Sequence, residues 1–226
     1  MFKDLNRFER YFLIIGLIIN LVIAVLSKSD LLAVICAVCS LFNAVYVAKG
    51  SIVSYIFGFI ATITYIWIAF SQRYYSEMIV NLIVLGITLY GFRNWQKNRS
   101  GGSDQVVLTK LSRKEICLSI LSQVILFPVY YMIFDHFDNG MILVSTINMC
   151  LSILSFYYNA RISKISFIVL IIGGIFKSIL WIAPMLKGDL SNTSVLVSCL
   201  LYLVCDAYGY LNWRKMEKIQ DTLQNN

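Results

Sequence analysis

Charge, proline and histidine are all scarce in this chain. Charged residues make up 14% of its 226 positions, with two prolines and one histidine. A soluble domain carries about 25% charged residues. With one histidine and few carboxylates, the sequence shows no cluster of His or Asp at one membrane face, so no metal site, cofactor or catalytic constellation is expected, and no enzyme. The single His136 sits in the stretch "DHFDNG" with no second ligand nearby. No G-x-x-x-x-G-K-[ST] run is present to cradle nucleotide phosphates. Six cysteines occur, but Cys36 and Cys39 form the one C-x-x-C without a second pair at ligand spacing. All six fall in apolar stretches and read as small packing residues.

Apolar residues are plentiful: 59% of the chain is hydrophobic, and its mean hydropathy is +0.75. One soluble core of this size cannot hide so much apolar surface, whereas a bilayer can. A helix needs about 20 apolar residues to span one. Eight stretches qualify: 11–27, 30–48, 51–70, 75–93, 115–134, 140–158, 163–186 and 192–213. The first is the weakest, so the count is seven or eight. Its "VLSKSD" ending has no small-x-small cleavage pattern, which argues against a secretory signal peptide.

Lysine and arginine give the orientation. With eight spans and both ends on the cytoplasmic side, 15 of the 19 basic residues fall inside. Only Lys28, Arg73 and Lys187 fall outside, and Lys177 lies within a span. The net charge of +7 is then an orientation signal, and no basic soluble face is left for nucleic acid.

Two spans end alike. Residues 90–97 read "YGFRNWQK" and residues 208–215 read "YGYLNWRK". An aromatic-Trp-Lys ending is a common interfacial anchor, but that does not account for Tyr-Gly-aromatic-x-Asn in the same register. The endings mark two repeats that run in the same direction. That requires an odd helix between two triplets. The expected fold is all-α and integral to the membrane. Two parallel three-helix bundles, 30–98 and 140–213, are joined through 99–139, a basic loop followed by an inverting helix. Residues 1–29 hold an extra N-terminal helix, and 214–226 form a cytoplasmic tail. Parallel repeats of this kind are a transporter architecture, with the substrate site between them.

The stretches "SYIFGFIATITYIWIAFSQRYYSEMIVNLIVLGITLYGFRNWQKN" (54–98) and "YLVCDAYGYLNWRK" (202–215) resemble the PnuC-type vitamin transporters, typified by nicotinamide riboside uptake. That family has a full-length SWEET-like fold of three, one and three helices. The resemblance implies facilitated diffusion of a vitamin precursor across the plasma membrane, trapping by cytoplasmic phosphorylation, and a homotrimer. Typical members open the second helix of the second repeat with a basic-x-x-Glu-x-Trp-x-x-Trp motif that stacks on the vitamin ring. Here residues 160–181 keep Arg161 and Lys164 but have neither that Glu nor the paired Trp; Trp181 is the one Trp left. Sister branches carry thiamine, riboflavin or deoxynucleosides, and those ligands remain alternatives.

Lys177 and Asp206 are ionisable groups inside spans, about 13 Å and about 21 Å from the outer ends at 1.5 Å per residue. Such groups are costly in hydrocarbon and face a cavity or a partner. Asp206 suits a cationic ring. Lys177 either lines the path or snorkels to the headgroups. Asn81 and Asn148 offer amides for ribose hydroxyls or a carboxamide, or for interhelical bonding. Tyr90 lies near the face of Asn81. Tyr55 and Trp67 are candidate stacking surfaces. Pro128, Pro184 and the pair Gly173-Gly174 are points where a span can bend or pack closely.

Overall fold

A computed structural model describes residues 5–26, 30–99, 104–137, 141–186 and 193–224. Within these, eight α-helices follow one another: α1 (Arg7–Leu26), α2 (Leu31–Lys49), α3 (Ser54–Ser71), α4 (Tyr75–Lys97), α5 (Arg113–Phe137), α6 (Ile142–Ala160), α7 (Ile165–Met185) and α8 (Thr193–Gln224). The first six are long and apolar enough to cross a bilayer, and α7 adds a shorter apolar stretch, Ile165–Ile179. Their exposed faces are apolar. On α5, Leu118, Leu121, Val124, Ile125 and Met132 all point away from the protein, as a lipid-covered helix requires. Helix α5 continues through Pro128. Helix α8 runs on past the apolar stretch, carrying the charged segment after Trp213 out as helix.

Packing pairs the helices in a repeating order. Helix α3 lies between α2 and α4, and α7 lies between α6 and α8. The two sets meet where α2 touches α8 and α4 touches α6. Helix α1 rests on α2, and α5 rests on α6. Close approach depends on small residues. A Cβ on Gly174 would come 2.6 Å from Leu203 of α8, so that glycine lets α7 and α8 pack tightly.

Local sequence explains several helix ends. Asn6 and Glu9 cap α1 reciprocally: the Glu9 amide donates to Asn6 Oδ1 and the Asn6 amide to Glu9 Oε2, each at 2.8 Å. At the start of α5 the Glu115 amide donates to Ser112 Oγ at 3.1 Å. Helix α2 ends at Gly50, whose φ of 73° is readily adopted by glycine. The matching turn after α6 places Ile162 at φ 57°, a strained choice for a β-branched residue. Both turns close the same way. The Ser51 amide donates to Tyr46 O (2.9 Å) and the Ser163 amide to Tyr158 O (3.0 Å).

The loop after α4 returns across this end of the molecule. The Val106 amide donates to Gly50 O at 3.1 Å, and the Thr109 amide to Ile162 O at 3.0 Å, so residues 104–110 strap both turns together. Gln220 on α8 accepts from the Leu108 amide at 3.0 Å, and Lys110 pairs with Asp221 at 2.8 Å. Lys164 pairs with Glu217. Arg93, Lys97, Lys110, Arg161, Lys164, Arg214 and Lys215 lie at or near this end, which is called the basic end below.

Candidate substrate route

The interface between the two helix sets is organised by the repeated endings. Asn94 Nδ2 donates to the carbonyl of Ala160, and the Trp95 indole N–H to that of Asn159, at 2.9 and 2.8 Å. In the other direction, Asn212 Nδ2 donates to Ala48 O and the Trp213 indole N–H to Val47 O, at 2.9 and 3.0 Å. Each ending therefore caps the last carbonyls of the first helix in the opposite set, groups a helix cannot satisfy itself. The two indoles meet with ring centroids 5.8 Å apart. Tyr55 packs edge-on to Trp95 at 5.2 Å and Phe167 edge-on to Trp213 at 5.1 Å. Both tryptophans are wholly buried. They are interior plugs between the sets and do not anchor in the lipid interface.

A second tie lies beside them. Arg161 grips Glu115 through Nε at 2.7 Å and Nη2 at 3.2 Å, and the Tyr157 hydroxyl donates to the same carboxylate at 2.9 Å. The carboxylate holds the Arg161 guanidinium above the usual arginine range, so it stays charged. Tyr90 of α4 lies within reach of that guanidinium, which places it at the basic end. Its counterpart in the second ending, Tyr208, donates to Glu9 Oε1 at 2.7 Å and accepts from Asn6 at 2.6 Å.

The other expected site residues are dispersed. Asp206 is half-buried on α8 and has no hydrogen-bond or ion-pair partner among the described residues. Lys177 is exposed on α7, within electrostatic reach of Cys199 on α8 and unpaired with Asp206. Asn148 on α6 faces Gly173, where a Cβ would lie 3.7 Å from its Oδ1. Asn81 turns its amide back to the Glu77 carbonyl of its own helix at 2.8 Å. Tyr55 is buried in the aromatic stack, while Trp67 is 59% exposed beside Phe70. Trp181 and Pro184 lie in α7, but their side chains fall outside the described residues.

Composition alone did not single out a polar set inside the membrane. Tyr202 of α8 lies within reach of Ser40 of α2, and Cys36 within reach of Thr64 and Ser40. The Cys36 thiol also donates to Ala61 O at 3.4 Å. A cavity of about 10 Å³, lined by Asn20, Leu41, Ser198, Leu201 and Tyr202, lies beside this set. The Tyr65 hydroxyl donates to Glu77 Oε2 at 3.2 Å, linking α3 to α4. The signal for the set was present as Cys-x-x-x-Ser on α2, with both side chains on one helical face.

Comparison with known proteins agrees with this architecture. The chain is 26% identical over 223 residues to the nicotinamide riboside transporter PnuC of Neisseria mucosa, covering 96% of this chain and 85% of that protein. It superposes on the crystal structure of the vitamin B3 transporter PnuC with a TM-score of 0.78 at 26% identity, covering 95% of this chain and 94% of the other. Residues 30–215 match the family model described as nicotinamide mononucleotide transporter, and that span includes both Asn-Trp endings and every helix from α2 to α7; the chain is a multi-pass membrane protein of the nicotinamide mononucleotide transporter family.

Proposed function

We propose that this protein is a carrier for nicotinamide riboside, moving it down its gradient into the cell, where phosphorylation traps it. The observation that carries the reading is the match to PnuC along nearly the whole chain at a TM-score of 0.78. Residues 30–98 and 140–213 act as two parallel three-helix bundles in a SWEET-like arrangement of three, one and three helices. Helix α5, within 99–139, is the inverter. Residues 1–29 form the additional N-terminal helix, and 214–226 the tail. The protein sits in the plasma membrane with both ends cytoplasmic, on the charge distribution. It performs no chemistry on its cargo and works as a homotrimer.

The substrate site lies between the bundles. Asp206 faces the positive charge of the pyridinium ring: it is half-buried with no partner among the described residues, a state costly for a carboxylate in a membrane unless a cation completes it. Asn81, Asn148, Tyr55, Tyr90, Trp67, Trp181 and Lys177 complete the list of candidate lining groups.

Purified protein in liposomes should equilibrate labelled nicotinamide riboside without ATP. Accumulation above equilibrium should require an enclosed riboside kinase with ATP. Asp206→Asn should raise the half-saturation concentration about tenfold or more, the scale of a lost charged interaction. Flux of thiamine, riboflavin or a deoxynucleoside in place of the riboside would overturn the substrate assignment. A chemically altered product would overturn the carrier.

A further inference from the structure

We infer that Trp95 and Trp213, held by Asn94 and Asn212, form the gate that closes the basic end of the substrate route. The reading rests on the carrier function above. The ties at this end run between the two bundles and come in reciprocal pairs. Asn94 and Trp95 of α4 hold the end of α6, and Asn212 and Trp213 of α8 hold the end of α2. The two indoles, wholly buried, fill the seam between the sets. With Tyr55 and Phe167 they form a four-ring ladder that crosses from one bundle to the other. No solute can pass that seam without separating the indoles. Separating them breaks all four hydrogen bonds, because each Asn-Trp pair grips the opposite bundle. The strap 104–110 crosses the same seam, bonded to Gly50 of one turn and Ile162 of the other, so it must release at least one of them on opening.

Two hydroxyls support this independently. Ser54 and Ser166, at the starts of α3 and α7, are buried and have no hydrogen-bond partner among the described residues. They occupy matching positions, each one residue before the ring that flanks an indole, Tyr55 or Phe167. A buried hydroxyl left unpaired is costly. A pair of them, placed symmetrically behind the plug, makes sense if the other conformation of the carrier wets both.

The test needs no substrate, so it stays interpretable if the cargo is not nicotinamide riboside. Ser54→Cys and Ser166→Cys are introduced separately. A membrane-impermeant maleimide is applied from the basic end, and labelling is read site by site by peptide mass spectrometry. The parent should label slowly at both positions. Asn94→Ala with Asn212→Ala should speed labelling about fivefold for each bond lost. Trp95→Phe with Trp213→Phe removes both indole donors and trims each two-ring plug to one ring; it should act in the same direction if the alanine pair folds poorly. Labelling of the exposed Cys117 on α5 should not change. Rates at 54 and 166 that stay at the parent value in both variants would overturn the gate. So would an equal rise when the reagent is applied from the opposite end, since that reports general loosening.

Discussion

A single added methyl at Gly91 tests whether the seam between the bundles is as tight as the geometry says. A Cβ there would lie 2.4 Å from the Tyr55 hydroxyl, 2.8 Å from Ala160 Cβ and 3.1 Å from Ala160 Cα. The tyrosine cannot swing aside, because its ring is held between Trp95 at 5.2 Å and Phe92 at 5.7 Å. The third contact is backbone, so α6 itself must shift. Overpacking of this kind costs about 1–3 kcal/mol. Exchanging glycine for alanine within a helix returns about 0.5–1 kcal/mol. The net for Gly91→Ala is a loss of up to about 2.5 kcal/mol, or up to about 10 °C in Tm for a chain of this length. Gly86 lies on the same helix with nothing within 4 Å of its would-be Cβ. Gly86→Ala should therefore raise Tm by about 1–3 °C, since only the propensity gain remains. Thermal unfolding of both variants in one detergent makes the comparison. A Gly91→Ala protein that melts at or above the parent would refute the close approach of α4 to α6.

Two further predictions concern the basic end. Arg161→Lys loses the two-pronged grip on Glu115 and should cost about 1–2 kcal/mol, whereas Asp221→Asn removes an exposed, solvent-screened partner of Lys110 and should leave Tm close to the parent; parallel melts at low and high salt read both, with only the second pair weakening in salt. Asn6→Ala removes the reciprocal cap of α1 together with its bond to Tyr208, and should lower stability by about 1–2 kcal/mol while increasing proteolysis near the start of α1.

Helix positions were legible because a bilayer imposes a length on apolar runs, and each of the eight expected stretches overlaps one helix. The ends moved where charge continues a helix. Lys97 closes α4 beyond the expected 93, and α8 continues to Gln224 beyond 213, because helix propensity outlasts hydrophobicity there. The repeat was legible in the two Asn-Trp endings, but their partners were not. A pattern within one helix cannot say that its indole N–H reaches Val47 or Asn159, more than 60 positions away. Tyr55 and Trp67 show the same gap. Both are aromatic and share a helix, yet one is buried in the ring ladder and the other mostly exposed. One signal went unused. Asn6-x-x-Glu9 before α1 and Ser112-x-x-Glu115 before α5 are the same capping pattern, and each of those helices rests on the first helix of a triplet.

Symmetry at the basic end contrasts with its breakdown in the middle of the membrane, and the contrast bears on mechanism. The endings, the turns and the orphaned serines all have counterparts. The polar groups deeper in the bilayer do not. Carried by the register that matches Trp213 with Trp95, Asp206 falls on Thr88, whose hydroxyl bonds to its own helix at Val84 O, and Tyr202 falls on the buried Val84 itself. Two similar bundles that rock against each other need equivalent contacts where they close, because each must release the other at once. A ligand with a charged ring at one end and a sugar at the other has no such equivalence, so a lining that stayed symmetric could complement only half of it. Duplication supplies the moving parts, and recognition of an asymmetric cargo then depends on the positions where the two copies have diverged. If the proposed site is right, changing Asp206, the α8 carboxylate without a partner among the described residues and with a threonine as its counterpart, is expected to alter specificity and leave labelling at positions 54 and 166 at the parent rate.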